Sequence, residues 1–447
     1  MTPFGAPMRA HFLIDPSYKN LNHGSYGTQP RDVHTTQKHL QSLAEQKPDV
    51  FMRKTQPELL TEARAAIAAY LNVPRHTVVF VKNATTGVNT VLHNLLPTLA
   101  ASDVILYFDT VFGAVERSLF WLAESRPAQL HKIAYALPAS HDAIVRLFRD
   151  AVRHVRESGR TPRLAIFDTI VANPGVRFPF EELVRVCRDE GVLSLIDGAH
   201  GVGHLPLDLG VLQPDFFTSN CHKWLYTPRS SAVLYVAEHN HHLIRTTLPT
   251  SWGYIPPSTA PATTTSAAAS GALTPFEALF DHVATADDTP YLCVPAALRF
   301  RQDVCGGEPA IQAYLVQLAN AGAEAVAACL RTEVMTEPGL RDGERSLLRA
   351  CGMANVRLPF AIVSGDASET EGGRKEGACR VSAAKAQEIA QFMGQTLMDE
   401  YNTFVPVFPY GPYLWTRVSA QVYLELSDFE WLGGVLREVC ERAQAMV

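Results

Sequence analysis

Ser219-Asn220-Cys221-His222-Lys223-Trp224-Leu225-Tyr226-Thr227-Pro228 sets one lysine among small polar and aromatic neighbours, just after the apolar stretch Asp215-Phe216-Phe217-Thr218. A lysine ammonium is strongly hydrated and normally stays at the surface. An amine between His222 and Trp224 at a strand end therefore reads as one held partly out of water. Desolvation and cationic neighbours lower the pKa of such an amine and fit it to form a Schiff base with a carbonyl. Taken alone, a His-Lys pair is more simply an ordinary loop lysine.

The pair is not alone. Upstream, Val192-Leu193-Ser194-Leu195-Ile196-Asp197-Gly198-Ala199-His200 is an apolar run of buried-strand character that ends on a carboxylate and a small-residue turn. Leu164 to Asp168 is a similar run, and helical patterns at Ala143–Arg156 and Phe180–Glu190 separate the strands. Alternating strand and helix predict an α/β fold whose parallel sheet binds ligand at the carboxyl ends of its strands. An Asp there can pair a cationic ring nitrogen, and a Lys on the next strand end can hold an aldehyde. Those are the two requirements of pyridoxal phosphate (PLP), met by Asp197 and Lys223. Asp168 competes with Asp197 for the first role.

The spacing Asp197-x-x-His200 followed by Ser219 to Leu225 resembles the class V aminotransferase family of fold-type I PLP enzymes. Within it the chain is similar to the fungal branch related to isopenicillin N epimerase, the ergothioneine-pathway cysteine sulfoxide lyase and the loline-pathway cyclase. The likeness runs from about Leu21 to Glu430. It implies a large domain with a mostly parallel, seven-stranded-type sheet between helices and a smaller α+β C-terminal domain. The expected boundaries are 1–30 for a segment lining the active site, 31–292 for the large PLP-binding domain and 293–447 for the small one. The family spacing favours Asp197 over Asp168 as the partner of the ring nitrogen.

The resemblance also distributes roles. Ala84, Thr85 and Thr86 open a helix after the strand Val78–Val81, and backbone N–H groups at such a start hold anions. The family places the cofactor phosphate there. Phe112 is expected to stack on the ring, His200 to lie near the ring oxygen, and His222 near the phosphate or Lys223, with Asn220 among the cofactor contacts. Thr250, Ser251 and Trp252 resemble a stretch that reaches a neighbouring subunit's phosphate, which implies a homodimer with active sites shared at its interface. His23 and Tyr26, in Leu21-Asn22-His23-Gly24-Ser25-Tyr26-Gly27, are expected to touch substrate, and Arg417 in an Arg-x-Ser strand to bind the carboxylate of a small amino acid. Lys223, Asp197 and His200 form the expected catalytic set.

Composition narrows the rest. A net charge of -6 and a pI near 6.2 give no basic footprint for nucleic acid or an anionic membrane. The eight cysteines are scattered without a Cys-x-x-Cys pair, so no metal site is expected and reduced thiols in a cytoplasmic protein are the default. The start lacks a secretory signal, and no membrane span is expected from the apolar runs. The Pro-, Thr- and Ala-rich run 256–275 and the polar run 364–377 read as loops.

The implied reaction begins with removal of the α-proton by Lys223 while Arg417 fixes the carboxylate. Ring closure of Mannich type, in fungal secondary metabolism, is the favoured continuation because Phe112 stands where the lyase branch carries a phenol. The alternatives are β-elimination from a cysteine-conjugate sulfoxide, epimerisation, and a non-catalytic binding protein on the same fold.

Overall fold

The computed structural model describes residues 1–125, 128–256, 273–341, 343–363 and 378–447. The loops expected at 256–275 and 364–377 therefore lie almost wholly outside the described residues.

Among the described residues up to Val236 there are nine strands: β1 (Val78–Val81), β2 (Asp103–Phe108), β3 (Gln129–Ile133), β4 (Thr161–Asp168), the two-residue pair β5 (Ile170–Val171) and β6 (Val176–Arg177), β7 (Leu193–Asp197), β8 (Phe216–Asn220) and β9 (Ala232–Val236). Seven of them form one sheet in the order β1-β9-β8-β7-β4-β2-β3. Only β9 runs against its neighbours, pairing antiparallel with both β1 and β8. This is the fold-type I α/β architecture that the sequence predicts.

Both faces of the sheet are covered, so its strands read as continuous apolar runs and not as alternations. Leu164, Ile166 and Leu195 face the helices Ala84–Leu95 and Gly113–Ser125, while Ala165, Phe167 and Ile196 face the other layer. In that second layer the helix His141–Glu157 starts on the Ser140 hydroxyl, which accepts the Ala143 N–H. Its buried stripe is Ile144, Phe148, Ala151, Val152 and Val155. Spacings of three and four residues keep that stripe on one side of the helix, and burying a side chain the size of Phe148 contributes about 2–3 kcal/mol.

The smaller C-terminal domain carries β10 (Met353–Ile362), β11 (Cys379–Val381), β12 (Val407–Tyr410) and β13 (Tyr413–Ser419), in the order β11-β10-β13-β12. Several boundaries differ from the sequence reading. The helical pattern from 294 to 332 is two helices, Val294–Asp303 and Glu308–Leu330, because Gly306 and Gly307 take φ of 84° and 92° between them. The apolar run Thr403-Phe404-Val405-Pro406-Val407 reads as a strand in the sequence, yet β12 begins only at Val407: Thr403 makes a single bridge to Lys19, and Pro406 has no N–H to donate to a ladder.

The 23-residue helix Glu308–Leu330 contains an 18-residue stretch of mean hydropathy 1.3, long and apolar enough by composition to cross a membrane. In the fold its Ile311, Leu315, Leu318 and Val326 are buried, and Phe429 presses so closely on Gly322 that a Cβ there would lie 2.4 Å from its ring.

The first thirty residues tie the two sheets together. Arg9 and Lys19 reach Asp428 in the last helix, and the Ser419 N–H donates to the Leu21 carbonyl at 2.9 Å. The chain then makes one helical turn, His23–Tyr26, and passes the lysine stretch at Gly27. Gly27 has φ of 64°, and a Cβ there would lie 1.8 Å from the His222 carbonyl oxygen, so only glycine allows this approach.

Candidate active site

β8 ends at Asn220, and Cys221–Trp224 forms a single helical turn that carries Lys223 over the carboxyl end of the sheet. Trp224 anchors the turn. Its buried indole stacks on His204 with ring centroids 3.7 Å apart and donates Nε1–H to His200 Nδ1 at 3.2 Å. Because that nitrogen accepts, the proton of neutral His200 sits on Nε2, which lies 3.1 Å from Lys223 Nζ. Burial first, and then the Lys223 charge, hold His200 well below its ordinary pKa, so the imidazole stays neutral. Lys223 itself is lowered to about 8 by burial and by Arg417, against the pull of Asp197 and Asp168.

His23 lies beneath this turn. Its Nε2 donates to the Lys223 carbonyl at 2.6 Å, and its Nδ1 meets the Tyr423 hydroxyl at 2.9 Å. With 1% exposure and both nitrogens engaged, His23 holds the lysine backbone and is not the expected substrate contact. Tyr26, the other residue expected to touch substrate, is 71% exposed at the rim.

Asp197 is buried at the end of β7 and accepts the Ala199 N–H at 3.0 Å. The expected phosphate loop is the start of the helix Ala84–Leu95. There the Asn83 side chain accepts the Thr86 N–H at 2.8 Å, the Asn83 carbonyl accepts the Gly87 N–H, and Asn220 Oδ1 accepts the Ala84 N–H at 2.9 Å. The Thr85 N–H and hydroxyl remain without a partner among the described residues, which leaves an anion-binding donor pair at a helix N-terminus. Asn220 thus links the lysine turn to this loop directly. His222 turns Nδ1 to the Ser231 carbonyl at 2.9 Å, and burial lowers its pKa to about 4, so its free nitrogen is a lone pair and not an N–H. His222, expected near the phosphate or Lys223, thus has no N–H left to offer either. Phe112, directly before the helix Gly113–Ser125, keeps a half-exposed ring.

The stretch Thr250-Ser251-Trp252 does not join this cluster within one chain. Thr250 accepts from Thr246, Ser251 donates to the Leu279 carbonyl at 2.7 Å, and Trp252 is 94% exposed. The Ser251 hydroxyl is thus engaged internally and not free for a phosphate.

Arg417 sits on β13 with 2% exposure. Its Nη1 donates to the Ala172 carbonyl at 2.6 Å, and its Nη2 donates to Asn22 Oδ1 at 2.7 Å and Ser25 Oγ at 2.9 Å, while Nε has no partner among the described residues. Every partner is neutral. Burial lowers the guanidinium to about 10, and a buried cation with no anion beside it is costly unless a ligand supplies one. Gly175 makes room for the side chain, since a Cβ there would lie 2.7 Å from Arg417 Cδ. Asn355, the register partner of Arg417, clamps Gly175 through both its N–H and its carbonyl.

Sequence reasoning passed over Asn22, Ser25, Ala172 and Asn355. The first two flank His23 in the quoted segment and carried the signal; the others become neighbours only through tertiary contact. Among the described residues, no group of three or more His, Cys, Asp or Glu is placed to hold a metal ion.

These residues fit PLP on the structure's own terms. A buried carboxylate suits a ring nitrogen, an amine of lowered pKa suits an aldehyde, and open donors at a helix start suit a phosphate. Comparison with known proteins agrees. The aminotransferase class-V profile matches residues 33–252. The L-cysteine desulfhydrase-like protein lolT1 of Epichloe uncinata is 43% identical over 98% of this chain and 96% of its own. The hercynylcysteine sulfoxide lyase of Schizosaccharomyces pombe is 29% identical over 98% of each. The solved structure of C-DES with glycine covalently linked to its PLP cofactor superposes with a TM-score of 0.73 at 17% identity, covering 96% of this chain and 99% of that one. With a full-length relative at that identity and the site built as described, the chain belongs to the class V aminotransferase family of PLP-dependent enzymes, and pyridoxal phosphate is its cofactor.

Proposed function

We propose that the protein removes the α-proton of a small amino-acid substrate and directs the resulting carbon nucleophile into ring closure. The observation that carries the first half is Arg417, a buried guanidinium surrounded only by neutral groups and close enough to Lys223 to lower its pKa. A substrate carboxylate supplies the missing anion, meeting the guanidinium with two parallel hydrogen bonds and displacing Asn22 and Ser25 from Nη2. PLP, when bound, supplies an aldehyde for the substrate amine and an electron-poor ring for the electron pair that the α-proton leaves behind.

The chain's own residues do the rest. Lys223, with a pKa of about 8, is poised near neutrality to accept that proton. His200 lies 3.1 Å from the amine, Asp197 would pair the ring nitrogen, and the packed Trp224 and His204 rings keep water from beneath the turn. Phe112 would stack on the cofactor, and the open Thr85 N–H and hydroxyl would hold its phosphate, Thr86 being bonded to Asn83 through both its N–H and its hydroxyl.

Two observations support ring closure as the next step. Phe112 lacks the phenol that would assist a leaving group, and His200 is held neutral with one nitrogen committed to Trp224. The second reading, β-elimination of a sulfur group, is supported by the names of full-length relatives, one a hercynylcysteine sulfoxide lyase. Sulfur transfer to a protein thiolate has the least support. All eight cysteines are buried or half-buried, and burial raises Cys221, Cys293, Cys305 and Cys440 to about 12, the opposite of a reactive thiol.

The working unit in this proposal is a homodimer. Trp252, Tyr254 and Ile255 expose large apolar surface in one short segment, as an interface does before it is covered. The deciding assay incubates PLP-loaded protein with an amino acid bearing a side-chain iminium and, separately, with a cysteine-conjugate sulfoxide. A bicyclic α-amino acid from the first is the expected product. Pyruvate and ammonia from the second, with no reaction of the first, would replace ring closure by elimination.

A further inference from the structure

β4 and β7 are adjacent parallel strands, and their last residues, Asp168 and Asp197, are register partners. Such partners send their side chains to the same face, from backbones about 4.8 Å apart. Two-residue alternation identifies the face: Asp168 follows Leu164 and Ile166, and Asp197 follows Leu195, all turned toward the helix that Thr85 and Thr86 open. Both carboxyls are buried, at 5% and 2% exposure. The single hydrogen bond to the pair from the described residues is the Ala199 N–H, and it goes to Asp197.

Two carboxylates this close and out of water do not both ionise. A backbone N–H favours the charged form of the group that accepts it, so the charge settles on Asp197 and the proton on Asp168. We propose that Asp168 is a second acidic member of the site, a positioning residue held as the neutral acid beside ionised Asp197. The pair then carries one negative charge, matched to the one positive charge of a protonated ring nitrogen. This inference rests on the PLP reading and on no particular fate of the substrate.

The surroundings are consistent with it. Burial, and next the Asp197 charge, push Asp168 well above the ordinary carboxyl range, whereas burial raises Asp197 less, against the Ala199 N–H and the Lys223 charge. Lys223 is the cation that opposes this shift, and it pulls on Asp197 as well. From the neighbouring strand ends come the Tyr135 phenol, bonded to the Thr110 hydroxyl at 2.7 Å, and the Asp109 carboxyl, neither of which supplies positive charge.

Difference infrared spectroscopy of the PLP-loaded protein at neutral pH tests the assignment without reference to turnover. A protonated-carboxyl stretch is expected in the natural protein and absent from Asp168→Asn, or from Asp168→Ser should the amide disturb folding. The pH midpoint of the visible Schiff-base band is the second readout. Asp168→Asn exchanges one neutral group for another and is expected to move the midpoint by less than about 0.3 unit, whereas Asp197→Asn removes the charge and lowers it by about one unit or more. An infrared spectrum unchanged by the Asp168 substitution, or a midpoint shift in Asp168→Asn as large as in Asp197→Asn, would overturn the proposal. A natural protein that shows no Schiff-base band would instead count against the PLP reading itself.

Discussion

Arg417 shows how much one side chain settles. Its four neutral hydrogen bonds hold a guanidinium in position without neutralising it, so its energetic deficit is met only when an anion arrives. Arg417→Gln keeps a donor but loses the charge. The expected outcome is a loss of about 100-fold in kcat/KM, carried mainly by KM, since truncating one member of a buried, hydrogen-bonded charge pair costs at least 2 kcal/mol. The visible cofactor band should be unchanged, because the role proposed for Arg417 is to bind substrate and not PLP. At this scale the sequence was most readable in placing Asp197, Lys223 and Arg417 on or just after strands, while the choice of Asp197 over Asp168 and the role proposed for Arg417 came from the family resemblance. His23 was misread because nothing local shows that its ring turns inward to the Lys223 carbonyl, 200 residues away.

The lysine turn is the element on which the site depends, and it is packed on histidines. His23 and His204 are pushed down to about 3, each chiefly by burial, and His200 lies well below its usual value for the same reason. In the unfolded chain these rings protonate near pH 6.5, so below that pH the unfolded state takes up protons that the native state refuses. Stability is therefore full above about pH 6.5 and declines as pH falls toward about 3, by up to about 1.4 kcal/mol per pH unit for each ring. Urea denaturation at pH 7 and pH 5 measures this, and a lower midpoint at pH 5 is expected, with a smaller drop in His204→Gln. A midpoint equal at the two pH values would mean that the rings are protonated in the native fold.

Helix boundaries and strand ends were less legible at this scale. The break at Gly306-Gly307 and the late start of β12 depend on which backbone groups find partners, and a periodicity count does not see that. The Asp168–Asp197 pairing depends on register between β4 and β7, which apolar runs leave open because both faces are buried.

For the whole molecule, the α/β order and the large parallel sheet were readable from alternating strand and helix patterns and the smaller domain from the family resemblance, while the way the N-terminal segment ties one sheet to the other was not. Lys19 and Asp428 meet across 409 residues, and Asn22 and Arg417 across 395. Assembly is the remaining question at this scale. Trp252, 94% exposed beside Tyr254 and Ile255, is where a second copy should cover apolar surface. Analytical ultracentrifugation should show a dimer for the natural protein and a weaker one for Trp252→Asp. A stable monomer that retains full activity would remove the shared-site arrangement.

Everything proposed for catalysis passes through one amine, placed 3.1 Å from His200 and lowered in pKa to about 8. Borohydride reduction of the PLP-loaded protein, followed by peptide mass spectrometry, tests that amine directly. The cofactor mass is expected on the peptide containing Lys223, and both the adduct and turnover should be lost in Lys223→Ala. A reducible linkage with undiminished turnover in that variant would contradict the account.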